Sequence, residues 1–331
     1  MKKFFVMALA LVMLALCTAC GESETSSGTK DNDNTSDASE SVAGVVIDDD
    51  DNEGTESEDS NTPQFEFPDF SGEDTFVLIA KEDCDVTISS KDQFNDYIRF
   101  GSFPYVSMLN RTDTIITPYL DGIYNTILVK DVARREGITD IPLLESIVKC
   151  VASSIGSPIS IKKISDTLNS SGRSISVNTV DNYLRALTDS YIFYKADRYD
   201  IKGRQHLKTL GKYYMVDTGL RNLLLAGSAS DTGHLIENIV YLELLRRGNK
   251  VNIGKLAEKE VDFVARYSEG MAYYQVSSTV LDENTLKREL EPLQRIPDNH
   301  PKFLLTLDEI GAGANHDGIR QLNLIDWLLG K

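Results

Sequence analysis

The 331-residue sequence carries 51 acidic and 34 basic side chains, a formal net charge of -17, and 41% hydrophobic residues. Eighteen of the acids but only one base, Lys30, fall in residues 21–75, and the other residues balance at 33 of each sign. An acidic globular body is thereby excluded: a neutral body, apolar enough for one or two cores, stands behind an acidic tail.

Residues 1–20 combine Lys2 and Lys3, an apolar run from Phe4 to Leu16, and the ending Leu16-Cys17-Thr18-Ala19-Cys20 before Gly21. That is the order of an export signal, and the run is too short to span a bilayer as a helix. The ending resembles a bacterial lipoprotein lipobox, with Cys17 where Leu, Val or Ile is usual. The resemblance implies lipidation at Cys20, membrane attachment through it, and placement at the cell surface or envelope. The alternative is an ordinary signal peptide cut near Ala19. Residues 21–75 are rich in Ser, Thr, Asp, Glu and Asn, with an unbroken acidic run from Asp48 to Asp51. Little of this tract can be buried to offset chain entropy, so it reads as a disordered linker. Residues 76–90 form an unassigned junction. Cys84 and Cys150 allow one disulfide arithmetically but no cysteine framework, and Cys150, in an apolar helical stretch, reads as a buried free thiol.

Helical periodicity starts after Lys91. Residues 92–99 read as a short helix ended by Gly101. Thr117 and Pro118 give a second start, with Thr as cap and Pro at the first helical position, in a helical segment over 91–140. From 141 to 230 the pattern becomes three helices and a ribbon. The helices are expected at 142–153, at 161–168 capped by Ser160, and at 179–188 capped by Asn178. The strands are expected at 191–196 and 213–216. This is the winged-helix order, in which the third helix or the ribbon commonly meets DNA. The third helix carries Asp181, Arg185 and Asp189 and offers no basic face. The ribbon connection carries Lys195, Arg198, Lys202, Arg204, Lys208 and Lys212 with Tyr194 and Tyr199 interleaved. These six are the nucleic-acid-binding candidates, because neutralising phosphates supplies most non-specific affinity. A solvated hairpin on a protein-contact domain is the competing reading.

Residues 231–331 read as an α/β domain: a helix over 234–247, strands at 251–253, 261–266 and 272–277, a helix over 283–293, and strands at 303–307 and 321–325. The whole is thus α+β, a mostly helical part followed by an α/β part. This layout resembles the PD-(D/E)XK nuclease fold. There a helix acid, a strand acid and an acid-x-Lys pair gather around magnesium, which prefers hard oxygen ligands. The resemblance implies catalytic roles for Glu237, Asp262 and Gln275. Gln275 replaces the third acid and Ser277 the lysine, so the motif is degenerate; Lys287 on the next helix is a candidate replacement cation.

The segments DGIYNTILVKD (121–131), NTVDNYL (178–184), YDIKG (199–203), VDTGLR (216–221), ENIVYLELLRRG (237–248), EVDFV (260–264) and LTLDE (305–309) together resemble the C-terminal half of predicted AAA-type ATPases. Those proteins end in a domain of unknown function with a winged helix and a nuclease-like core. The ATPase core is replaced here by the leader, and no GxxxxGK[ST] phosphate loop occurs, so no ATP site is expected in the chain. The four histidines have no zinc-ligand spacing. The expectation is a non-catalytic binding or regulatory module for DNA or protein, without a cofactor. The alternatives are a weak magnesium-dependent nuclease, an envelope lipoprotein with an extracellular binding role, and a leader joined to a cytoplasmic module without joint function.

Overall fold

The computed structural model describes residues 90–226 and 232–331, apart from the side chains at 128–131 and 208–209. The export signal, Cys20, Cys84, the acidic tract and the junction before Ser90 lie outside the described residues. The described part is a mixture of helix and sheet, with a helical cluster first and one mixed sheet after it.

Helix α1, Ser90–Phe100, ends at Gly101, whose φ of 81° reverses the chain. Helix α2 spans Asp113–Tyr124, one turn earlier than Thr117 and Pro118 indicate. Thr112 is the extended residue before it and its carbonyl accepts from Ile116 N at 3.0 Å, so Pro118 lies inside the helix. The chain then widens into a π-helical stretch, Asn125–Val132, and a last helical turn, Ala133–Arg135.

Helices α3 (Ile141–Ser153), α4 (Ile161–Ser170) and α5 (Val177–Asp189) follow the sequence pattern closely. Each start is held by a side-chain cap, which satisfies a backbone N–H the helix leaves without a partner. Asp140 accepts from Leu143 N at 2.9 Å and Ser160 from Lys163 N at 3.3 Å. The third cap is Ser176, accepting from Thr179 N at 3.1 Å, rather than Asn178, which lies within the helix. The apolar faces of these helices meet in a core that includes Leu144, Ile147, Val151, Val180, Leu184 and Leu187. Cys150 is free and only half-buried at its edge, and burial raises its thiol pKa.

The ribbon is longer than the sequence suggests. Strands β1 (Phe193–Asp200) and β2 (Gln205–Met215) pair antiparallel, and the turn between them is only four residues, 201–204. Most of the basic residues expected on a connecting loop therefore belong to strands. The ribbon is also part of the large sheet, because β1 pairs parallel with β3. Helix α6, Thr218–Leu224, and helix α7, Thr232–Arg246, intervene between β2 and β3. Asp217 caps α6 through Leu220 N at 3.0 Å and also accepts from Ser102 N at 2.6 Å, tying the chain after α1 to the helix start. Gly219 sits against the Phe100 carbonyl, where a Cβ would lie 2.3 Å from the oxygen.

Strands β3 (Lys250–Leu256), β4 (Lys259–Tyr267) and β5 (Gly270–Ser277) form an antiparallel meander. Helix α8, Glu283–Gln294, crosses from β5 to the parallel strand β6, Lys302–Thr306. A two-residue strand β7, Asn315–His316, precedes β8, Ile319–Asn323, and helix α9 covers Leu324–Leu329. The strand order is β2-β1-β3-β4-β5-β6-β8-β7. One face packs against α7 and α9 through Ile236, Val240, Leu244, Phe263, Leu305 and Trp327. The other packs against α8 through Val261, Tyr273, Leu290, Leu293 and Leu304. Among the described residues no helix is long and apolar enough to cross a membrane.

Candidate functional site

The site forms where α7 crosses the sheet, and strand alternation explains its composition. On β2, Tyr213 and Met215 turn into the helical core, while Tyr214 turns toward α7. Lys212 is on the Tyr214 side, and only 4% of its surface is exposed. Gly211 permits this path, since a Cβ there would lie 2.7 Å from the Ala196 carbonyl oxygen. The other flank of β2 is held by the segment after α3: Gly156 N donates to Tyr213 O at 3.2 Å and Ile159 N to Gly211 O at 3.1 Å. Lys212 is therefore locked between β1 and the helical part.

Helix α7 brings Glu237 to the same point. Its Oε1 accepts from Lys212 Nζ at 3.0 Å and from Tyr214 Oη at 2.7 Å. The next residue, Asn238, clamps the helix to the strand: its Oδ1 accepts from Met215 N at 2.7 Å and its Nδ2 donates to Met215 O at 2.9 Å. Gly156 leaves room for the acid, because a Cβ there would stand 3.1 Å from Glu237 Oε2.

Strand β4 contributes Glu260 and Asp262. Glu260 Oε1 lies 2.8 Å from Lys212 Nζ, and Arg198 Nη2 donates to Glu260 Oε2 at 3.0 Å. Asp262 falls in a bulge: Asn252 pairs with Val264 and Gly254 with Val261, leaving two β4 residues opposite one of β3. Bulges re-aim side chains in this way. Asp262 Oδ2 accepts from Val276 N at 2.8 Å, and Asp262 N donates to Gln275 Oε1 at 3.3 Å. Gln275 Nε2 donates to Glu289 Oε2 on α8 at 2.9 Å.

Electrostatics follow from burial. Burial and the charge on Glu237 raise the Asp262 pKa well above the carboxylate range, against the pull of Lys212 and the Val276 N–H. Burial works against the charge on Lys212, but Glu237, Asp262 and Glu260 outweigh it, and its ammonium is held above the ordinary lysine range. Burial and Glu237 likewise raise the Tyr214 hydroxyl pKa well above its usual value, so it donates rather than ionises.

Glu237 and Asp262 thus come together, with Gln275 beside Asp262. Ser277 Oγ donates to Thr279 O at 3.0 Å. Lys287 is exposed and paired with Glu283 at 2.7 Å, so it does not supply the cation in this cluster; Lys212 does. The sequence signal for Lys212 was its spacing two residues before Tyr214 on a strand, which the reading as a basic loop obscured. Of the six ribbon cations, Lys212 is buried and Arg198 is paired with Glu260, while Lys195 pairs with Asp197 at 3.2 Å. Lys212 is consequently withdrawn from any phosphate contact. Lys202 and Arg204 are exposed at the turn and form no ion pair with a described residue; the Lys208 side chain lies outside the described ones.

The cluster does not fit magnesium. An ammonium occupies the position between Glu237 and Glu260, and no group of three or more His, Cys, Asp or Glu among the described residues is placed to hold a metal ion. Two surface clefts, one at Phe94, Leu307 and Asn323 and one at Lys287, Arg288 and Glu291, include none of the cluster residues.

A domain of unknown function (DUF8612) matches residues 91–231. The match takes in Lys212 and stops before Glu237 and Asp262. An uncharacterized protein of Haemophilus influenzae is 38% identical over 236 residues, covering 71% of this chain and 58% of its own length. An uncharacterized protein of Methanocaldococcus jannaschii is 31% identical over 210 residues, 61% of this chain and 45% of its own length. The chain spans about half the length of these curated relatives. No solved structure matches.

Proposed function

We propose that residues 90–331 form a non-catalytic binding or regulatory module, built like the winged-helix and nuclease-like C-terminal part of predicted AAA-type ATP-binding proteins. The observation that carries this reading is the buried Lys212 ammonium paired with both Glu237 and Glu260, in the place where a hydrolytic site would hold its metal. The relatives' greater length supports a module that works within larger proteins. The test is incubation of the full chain with supercoiled plasmid and magnesium or manganese. The expected result is no nicking. Magnesium-dependent nicking abolished by Asp262→Ala would replace this reading with the metal-dependent nuclease.

A second reading concerns the partner. Lys202 and Arg204, exposed and free of ion pairs with described residues, support contact between the ribbon turn and a DNA backbone. Duplex binding by fluorescence anisotropy across a salt series tests it. The pair Lys202→Gln/Arg204→Gln is expected to reduce the salt slope by about 2. Salt-insensitive or absent duplex binding favours a protein partner. For location, the leader and the acidic tract support attachment through lipidated Cys20 at the envelope, and mass spectrometry of the mature N-terminus tests it.

A further inference from the structure

We infer that Lys212 is a built-in monovalent cation for the Glu237–Asp262 cluster, and that this chain keeps the carboxylates of a metal-type core while excluding divalent metal from it. The inference deepens the non-catalytic reading and rests on the same cluster.

Three features of the cluster lead there. First, protein donors already occupy one oxygen of Glu237, both of Glu260 and one of Asp262. Glu237 Oε1 takes Lys212 and Tyr214, Glu260 takes Lys212 and Arg198, and Asp262 Oδ2 takes the Val276 N–H. A hard divalent ion needs about six oxygens, and to gather Glu237 and Glu260 together it would have to displace the Lys212 ammonium between them. Second, the lysine has no other place to go. Its strand is pinned on one side by β1 and on the other by Gly156 and Ile159, and Gly211 lies against the Ala196 carbonyl. A divalent ion entering beside a fixed buried ammonium meets like charge at low dielectric, where repulsion is strongest. Third, donor and acceptors come from separate parts of the chain: the lysine from the ribbon, Glu237 from α7, Glu260 and Asp262 from β4. The cation is therefore fixed by the fold itself, and the cluster is complete without an ion from solution.

The test uses the full chain freed of metal by chelation and titrated with Mn2+, read by the loss of the free-ion electron paramagnetic resonance signal. Wild type is expected to bind no Mn2+ at this cluster. Lys212→Met, which removes the charge and keeps the length, is expected to gain a Mn2+ site that wild type lacks. Adding Asp262→Asn to that variant is expected to abolish the gain. A folded Lys212→Met protein with no Mn2+ site overturns the inference, as does Mn2+ binding by wild type that Asp262→Asn removes. Should Lys212→Met fail to fold, lysine-selective 15N nuclear magnetic resonance on wild type decides. The Lys212 ammonium signal is expected to stay sharp in Mn2+, and paramagnetic broadening of that signal overturns the proposal. Wild-type Mn2+ binding that Asp262→Asn removes, without DNA cleavage, sinks this inference alone, whereas cleavage that Asp262→Asn abolishes sinks the non-catalytic reading as well.

Discussion

The helical region, residues 90–189, and the junction of β2, α7 and β4 are held together by different physics. In the helical region the three helices α3, α4 and α5 are each stabilised at the start by a cap three residues away, at Asp140, Ser160 and Ser176, and they meet in an apolar core. At the junction the stabilising contacts join residues far apart in the chain: Lys212 with Glu237 and Glu260, Arg198 with Glu260, Asn238 with Met215. Local contacts are separable, and each loss should be small. The junction is a buried network in which one missing partner leaves a desolvated charge, so single changes there should be costly.

The sharpest way to break this contrast is Lys212→Ala. It leaves Glu237 and Glu260 without their shared cation, and a loss of about 3–5 kcal/mol in urea denaturation is expected. A loss near zero would show that water replaces the ammonium. Next is Gly156→Ala. The residue has φ of 70°, and an added Cβ would lie 2.8 Å from His234 Cδ2 and 3.1 Å from Glu237 Oε2. Backbone strain and crowding together should cost about 3 kcal/mol. Gly172→Ala, at φ of 89° with nothing within 4 Å, should cost only the backbone share, about 1–2 kcal/mol. Equal losses at the two glycines would mean that crowding at Glu237 is relieved by side-chain movement.

Tyr214→Phe removes one donor from Glu237 and leaves Lys212 in place, for an expected loss of about 2 kcal/mol by the same method. In the helical region Ser160→Ala should cost about 1 kcal/mol through one lost cap, measured as a drop in Tm. The smallest difference at any single pH is one of slope. Asp262 holds its proton more tightly folded than unfolded, so its contribution to stability is fully present below the ordinary aspartate range and is lost as pH rises toward its raised value. Asp217, raised by burial, has the same sign. Asp262→Asn should therefore show a flatter fall in stability than wild type as pH rises above the ordinary aspartate range, measured by urea midpoints across a pH series. A parallel pair of curves would show that Asp262 stays ionised across the range.

Much of the secondary structure was legible because its causes are local. Ser160 and Gly101 mark helix ends, and residues 142–153 repeat at helical spacing on the helix Ile141–Ser153. The misreadings have local causes too. Pro118 suggested a helix start and lies inside α2; Asn178 suggested a cap and lies two residues beyond the true one, Ser176. The strands around the basic ribbon were drawn too short because charged residues interrupt the apolar alternation, although Lys212, Arg198 and Glu260 neutralise one another across strands. Glu237 and Asp262 were identified through a resemblance between element orders, and the cation was sought on the following helix at Lys287 instead of on β2. Nothing in the spacing of Lys212 from Glu237 announces an ion pair, since they lie 25 positions apart with helix α6 between them.

By itself, the sequence determined the acidic tract, the neutral body, most of the order of helices and strands apart from α6 and β7, and two of the acids in the cluster. These follow from composition, period and capping, which act over a few residues. Only the tertiary structure decided that the ribbon belongs to the large sheet, that Asp262 sits in a bulge facing Glu237, and that Lys212 is their cation. Those outcomes depend on strand pairing and on helix α7 crossing the sheet, and burial then turns a surface charge into a buried partner.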